Sequence, residues 1–173
     1  MRIKRMLESG RGLAIAALCI GAAGSSHALS LTVDGGEITG VGGIEIQGKM
    51  YDVAFADGAF NALYPAELSG YGQLAQDVAQ ALLSASDSGT LKAAPKWQPG
   101  LRLRGCSSQT SCTILIPEQS TGAAPVAQTT YAREVIYADA QFRSVTAKLW
   151  PFDASTDTKQ MPDMMYAIIT PAR

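Results

Sequence analysis

A β-hairpin is predicted by the stretch Gly43-Ile-Glu-Ile-Gln-Gly-Lys-Met-Tyr-Asp-Val-Ala-Phe-Ala-Asp-Gly58. The second half of the stretch alternates, so Tyr51, Val53 and Phe55 share one face of a strand, and we expect that face to be buried. Gln47-Gly48 supplies a tight turn between the two strands. The stretch therefore favours an antiparallel sheet.

The clearest helical pattern follows at residues 70–86. Its apolar side chains recur at the spacing of one helix face: Leu74, Val78, Ala81 and Leu82. Ser69 is a suitable N-cap, and Gly89 lies where glycine commonly ends a helix. Because strands in hairpins surround one strong helix, we predict an α+β fold: a single small domain with a mostly antiparallel sheet and one main helix.

Further strands are predicted on both sides of the helix, at 29–33, 38–46, 101–104, 113–116, 144–150 and 164–170. We expect the two strands that flank the later cysteine pair to form a hairpin, and Pro151 to end the strand before it. Residues 117–125 and 153–163 are expected to be polar loops, whereas 131–140 fits a helix or a strand.

Residues 1–28 have the pattern of a secretory signal peptide. Basic residues come first, an apolar run over 13–23 follows, and Ser26-His27-Ala28 offers small residues at the positions that a signal peptidase reads. The apolar run is shorter than the roughly 20 residues of a membrane-spanning helix. We expect cleavage after Ala28, a mature domain over 29–173 that is secreted or periplasmic, and no stable membrane span in it.

Cleavage after Ala28 would also restrict the chemistry of the mature chain, because it removes His27, the only histidine, and Cys19. Without a histidine, serine and cysteine catalysis of the common kinds is excluded. Ten Lys and Arg against fourteen Asp and Glu remain, a net charge of −4 that offers nucleic acid no basic surface. No nucleotide-binding motif is present, and two cysteines alone make no usual zinc site, so we predict no cofactor and no metal.

Cys106 and Cys112 are the two cysteines that remain. An even number of cysteines in an exported chain favours a disulfide. A redox-active pair is the alternative, but such pairs usually have two intervening residues and a helix beneath them. Five residues intervene here, between strand-like flanks, and we therefore predict a structural bridge.

Asp52 and Asp57 are the candidate site carboxylates, as calcium ligands or an acid–base pair. The alternative gives them structural roles, Asp52 on the solvent face of a strand and Asp57 in an Asp-Gly turn. Asp153 and Asp157 could also hold a cation. Four aromatic residues could line a sugar-binding surface or simply pack: Trp97, Trp150, Tyr64 and Tyr131.

The segment 43–58, with its Tyr-Asp-Val-x-Phe-x-Asp-Gly pattern, resembles a segment near the mature N-terminus of small exported bacterial proteins, many of which carry a C-terminal PEP-CTERM sorting tag. Residues 71–86, the pair Cys106 and Cys112, and Tyr166-Ala167 match their later helix, cysteine pair and final strand. The tag is absent here. The resemblance implies export and a fold, and it implies no activity.

Two functions follow as hypotheses. The first is an exported, non-enzymatic module that binds an unknown protein or an envelope or matrix component. The alternative is a hydrolase that uses carboxylates on a cell-wall or polysaccharide substrate, which requires two acids about 5 to 10 Å apart in a cleft. A small inhibitor or secreted effector is not distinguished from the first by sequence.

Overall fold

The computed structural model describes residues 29–64, 70–108, 110–121, 129–144 and 149–173. The predicted signal peptide, with Cys19 and His27, lies outside these ranges. The described strands are β1 (Ser30–Asp34), β2 (Glu37–Ile46), β3 (Lys49–Ala56), β4 (Arg102–Leu103), β5 (Cys112–Thr121), β6 (Thr129–Ala138), β7 (Gln141–Ser144), β8 (Trp150–Asp153) and β9 (Met164–Pro171). The described helices are α1 (Phe60–Leu63), α2 (Gln73–Asp87) and α3 (Thr90–Ala93), with a 3-10 turn at Thr158–Gln160. None of these helices is long and apolar enough to cross a membrane.

All nine described strands join one sheet, whose order is β1-β2-β3-β9-β5-β6-β7. The short strand β4 lies beside β2, and β8 lies beside β6. The pairs β2–β4 and β5–β9 are parallel, whereas the other pairs are antiparallel. The predicted class, a sheet with one main helix, is confirmed in outline, and the sheet itself is mixed.

Strand β2 carries two irregularities that bend the sheet. Its register shifts once against β1 and once against β3, where Gly42 and Gly43 together oppose Asp52. Such bulges bend a strand and increase its twist. The resulting curl brings distant strands together, since the rings of Phe55 on β3 and Phe142 on β7 have centroids 6.3 Å apart.

The inner face of the sheet, defined here as the face that carries α2, holds the larger core. Ala75, Val78 and Leu82 of α2 are fully buried against it. The backbone N–H of Phe142 donates to the buried Ser86 hydroxyl of α2 at 2.8 Å, which fixes the helix to β7. The predicted helical stripe is thus confirmed, although its centre lies on Ala75, Val78 and Leu82.

The outer face carries a second, smaller core that is rich in aromatic rings. Its buried members are Phe60, Tyr64, Leu115, Ala132, Phe152, Ala154 and Tyr166. Strand β9 pairs with β5 only as far as Tyr166, so its later backbone groups need other partners. The Tyr64 hydroxyl donates to the carbonyl of Ala167 at 2.8 Å, and the Ile169 N–H donates to the Tyr71 hydroxyl at 2.9 Å. Tyrosine side chains therefore replace β5 as partners of β9.

The start of α2 corrects one sequence prediction. The helix begins at Gln73, with Gly72 as its N-cap and no side-chain cap, so the prediction of Ser69 as N-cap was wrong. Ser69 itself lies outside the described residues. The end of the helix is as predicted, because Gly89 follows the C-cap Ser88 in the left-handed conformation.

The predicted hairpin around the two cysteines is also wrong. Strand β4 pairs in parallel with β2, at Glu37 and Ile38, and does not pair with β5. Leu103 of β4 is fully buried in the inner core, and this burial favours its distant partner over the nearby one.

Later segments differ from the predictions in two further places. Strand β5 continues through Pro117 to Thr121, so the loop predicted from residue 117 begins later. Instead of one strand over 144–150, β7 ends at Ser144 and β8 begins at Trp150 and includes Pro151. Proline is tolerated in β8 because this edge strand needs no N–H on its free side. Residues 129–138, ambiguous in sequence, form β6.

Candidate functional site

Asp52 lies on the outer face of β3, opposite the bulge of β2. Its Oδ1 accepts a hydrogen bond of 3.2 Å from the backbone N–H of Gly43. Because two residues of β2 oppose Asp52 at this point, the ladder itself gives that N–H no regular partner. The carboxylate of Asp52 therefore stabilises the bend of the sheet.

Asp57 connects three segments near the end of β3. Its Oδ1 accepts a hydrogen bond of 3.1 Å from the hydroxyl of Thr158, which is fully buried and also accepts from the N–H of Gly58 at 3.1 Å. The same carboxylate lies so close to Gly105 that a side chain there would collide with it. Burial, and to a smaller extent the charge of Asp157, raise the pKa of Asp57 although the Thr158 hydrogen bond lowers it.

The two predicted carboxylates have separate partners. Within the described ranges, Asp52 and Asp57 share no hydrogen-bond donor. The acid whose charge acts on Asp57 is Asp157, which itself caps the 3-10 turn by accepting from the N–H of Lys159. In the same ranges no group of three or more His, Cys, Asp or Glu side chains could hold a metal ion.

Cys106 and Cys112 form a disulfide with their Cα atoms 5.9 Å apart. Both residues are buried in the inner core, and the bond joins the loop after β4 to the first residue of β5. The N–H groups of Ser107 and Ser108 donate to the carbonyl of Pro162, at 2.8 and 3.0 Å. The bridge thus holds a loop that packs on the segment before β9.

The four aromatic residues proposed for a sugar-binding surface lie apart. Tyr64 is buried in the outer core, and Trp97 packs against the inner core, where its indole N–H has no partner among the residues that the structure describes. Tyr131 lies one position along β6 from Ala132, so it faces away from the outer core. Trp150 alone is an exposed large hydrophobic residue in the described ranges, with 47% of its surface accessible.

Glu134 on β6 is a candidate that the sequence analysis missed. It is 8% exposed and is the one buried acid in the described ranges. Its side chain takes part in none of the hydrogen bonds or ion pairs among the described residues, in contrast to the carboxylates of Asp52 and Asp57. Burial raises the pKa of the Glu134 carboxyl. The sequence signal is an acid that lies between the apolar residues Ala132 and Ile136 on one face of the strand.

Glu134 and Trp150 lie on the same face of the sheet. Trp150 pairs with Ala132, and Glu134 is the next residue of β6 on that face. Diagonal neighbours of this kind are about 7 Å apart, within reach of long side chains. Strand β8 pairs with β6 up to Ala132 and β7 pairs from Val135, so β5 is the one described strand that pairs with β6 at Glu134.

The cavities formed by described residues are shallow and poor in acids. The groove over the bulge, about 430 Å³, contains Asp52 with the hydroxyls of Ser30, Thr32 and Thr170. A second, about 270 Å³, lies beside the disulfide and contains Asp139. Each of the described cavities is lined by at most one acid.

The chain matches no protein-family model, no curated protein and no solved structure.

Proposed function

We propose that this chain is an exported, non-enzymatic binding module of the cell envelope or extracellular matrix, and that Trp150 and Glu134 form its binding site. One observation carries the proposal. An exposed indole and a buried acid whose side chain has no hydrogen-bond partner among the described residues lie on the same face of the sheet, at neighbouring positions of β8 and β6. Burial of an ionised acid costs free energy, and a partner that covers the indole and supplies a donor to the carboxylate would recover it.

The alternative, a hydrolase acting through carboxylates, has less support. Glycoside hydrolysis of the usual kind needs two acids flanking the scissile bond. Burial is the cause that raises the pKa of Glu134, with no contribution from a second acid. Asp52 and Asp57 are each engaged with a backbone or hydroxyl donor elsewhere. The described residues thus offer a surface for binding rather than a catalytic pair.

Export is supported by the disulfide, because such bonds persist in oxidising compartments. It is tested by the intact mass of the protein recovered outside the cytoplasm of the producing cells. We expect a chain that begins at Leu29 and is lighter by two hydrogens than its reduced form. A chain that keeps residues 1–28 would contradict cleavage after Ala28, free thiols at Cys106 and Cys112 would contradict the bridge, and recovery in the cytoplasm alone would contradict export.

Binding is tested by co-sedimentation of the 29–173 protein with envelope and matrix fractions of the producing cells. We expect Trp150→Ser to reduce the bound fraction, because the indole supplies the exposed contact. Gln80→Ala, an exposed change on α2, is the matched control and should leave binding unchanged. Equal binding by the wild type and Trp150→Ser would refute this surface as the binding site.

A further inference from the structure

We infer that the groove over the bulge of β2 binds a neutral saccharide. The groove has a volume of about 430 Å³, within the range of small-molecule sites, and every residue that lines it belongs to the described ranges. Its residues come from β1, β2, β3 and β9, and from Arg104 directly after β4. This binding site goes beyond the proposed function, because it is a second site on a different part of the sheet.

The groove follows a row of β2 that has no side chains. Gly42 of β2 pairs with Ser30 of β1, and two positions along the strand Gly40 pairs with the next outward residue of β1. A side chain at Gly40 would collide with the carbonyl oxygen of Val53, so the fold itself keeps this position free. The flanking strands β1 and β3 are about 10 Å apart, which is wide enough for one sugar ring. Bulges such as those of β2 are common beside active sites, where they re-aim side chains.

Ser30 and Asp52 converge over Gly42. A Cβ atom on Gly42 would lie 2.9 Å from the Ser30 hydroxyl oxygen and 2.9 Å from Asp52 Oδ1. A ligand hydroxyl just above Gly42 can therefore reach both oxygens, accepting a hydrogen bond from the first and donating one to the second. Asp52 Oδ1 also accepts from the N–H of Gly43, which fixes the carboxylate and leaves lone pairs on both of its oxygens.

Further hydroxyl groups line the groove beside this point. Thr170 of β9 is the cross-strand partner of Asp52, and Thr32 lies two positions from Ser30 on β1. Within the part of the chain that the structure describes, the hydroxyls of Ser30, Thr32 and Thr170 make no hydrogen bond. A hydroxyl both donates and accepts, and a sugar presents the same kind of group in return. Several polar groups on neighbouring strands can thus fix the orientation of a sugar ring.

The charges around the groove favour a neutral ligand. The guanidinium of Arg104 is already paired, with Nη2 2.6 Å from Asp34 Oδ2 and Nε 3.8 Å from Glu37 Oε2. Asp52 adds a negative charge to the groove, and this charge opposes an anionic ligand. A metal ion is also a poor match, because Asp52 is the one acid among the lining residues.

The test is a titration of the isotope-labelled 29–173 protein, followed by its backbone amide signals in NMR spectra. The signals of Gly40 and Gly42 report from the groove, and those of Gly89 and Gly100 report from outside it. The neutral probes are glucose, galactose and N-acetylglucosamine, and the anionic probes are glucuronate and galacturonate, all at constant ionic strength. We expect at least one neutral sugar to shift the two groove signals with a dissociation constant on the order of 1 mM, and to bind more tightly than either uronate.

Variants of the lining residues make the assignment specific. Asp52→Asn should weaken binding about tenfold, because it removes the charge and keeps an oxygen that accepts from the N–H of Gly43. Ser30→Ala should weaken binding about fivefold, because it removes one hydroxyl. Asp87→Asn and Ser84→Ala, at exposed residues of α2, are the matched controls and should leave binding unchanged.

Four results would overturn the inference: no shift of the groove signals with any neutral sugar, equal shifts of the two outside signals, tighter binding of a uronate, or unchanged affinity in Asp52→Asn or Ser30→Ala. Both substituted residues are exposed, and unchanged outside signals show that each variant is folded. The result is separable from that of the proposed function. Trp150→Ser should bind the sugar as the wild type does, and loss of sugar binding in this variant would refute the groove as the site.

Discussion

Replacing Glu134 by Gln should make the protein more stable at neutral pH. The substitution keeps the size of the side chain and removes the charge of a residue that is 8% exposed and has no hydrogen-bond partner among the described residues. The amide of glutamine is equally buried, so the gain comes from removal of the charge alone; an unpaired buried group costs about 1 to 3 kcal/mol, and a charged one costs more. The Glu134 oxygens are not among the fully buried unpaired atoms, so we take the lower end, a gain of about 1 kcal/mol in the free energy of unfolding.

The pH dependence of the free energy of unfolding provides a second, independent test of this prediction. Burial raises the pKa of Glu134 above the ordinary 4.5 in the folded state. Below 4.5 the carboxyl is protonated in both states and carries no penalty. As the pH rises from 4.5 through the raised pKa, the unfolded chain loses the proton first, so the wild type loses stability over that window. Above the raised pKa the penalty is constant.

Urea unfolding of the wild type and Glu134→Gln at several pH values measures both effects. The difference between them should be largest at neutral pH and should shrink as the pH falls towards 4.5. The slope of free energy against urea should be equal for the two proteins, since the same surface is exposed. A Glu134→Gln protein that is less stable than the wild type at neutral pH would show that the carboxylate has a stabilising partner, and would refute the reasoning.

Three further predictions concern the scaffold. Ala140 has a positive φ of 57° in the β6–β7 turn, a conformation that is strained for alanine and free for glycine. Ala140→Gly should therefore raise the free energy of unfolding by about 0.5 kcal/mol and raise the thermal midpoint, and a lower midpoint would contradict the strain. Thr158→Val should cost about 2 kcal/mol in urea unfolding, because the buried N–H of Gly58 loses its acceptor, whereas Thr158→Ser should cost less. Replacing Cys106 and Cys112 together by Ser should lower the free energy of unfolding by about 2 kcal/mol, and an unchanged thermal midpoint would contradict the bridge.

Local patterns in the sequence predict the elements whose neighbours in the sheet are also neighbours in the chain. Strands β1, β2 and β3 follow one another through tight turns, so alternation and turn residues are enough to place them. The stripe of α2 is likewise a local property of fifteen residues. Gly42 and Gly43 lie at the register shift of β2 against β3, where glycine permits a bulge.

Strand pairings between segments that are distant in the chain could not be predicted from local sequence patterns. Strand β4 joins β2 across more than sixty residues, because the curled sheet leaves a position beside Ile38 that buries Leu103. Pro117 lies inside β5 because a register shift follows it, and its carbonyl accepts from the N–H of Tyr71 at 2.9 Å. In both cases the segment that determines the pairing is far away in the chain, so the local periodicity of the sequence does not predict the pairing.

The acids of this protein separate into two kinds by what their oxygens contact. Asp52 and Asp57 each accept a hydrogen bond that holds a bend or a loop in place, so their conspicuous position in the sequence reflects the demands of folding. Glu134 holds nothing in place among the described residues, and the fold keeps it buried at a cost. Functional sites are commonly less stable than the sequence allows, and under the proposed function Glu134 is a residue of this kind. Stability and binding should therefore move in opposite directions in Glu134→Gln, whereas substitutions of Asp57 or Thr158 should reduce stability and leave the affinity of the folded protein unchanged.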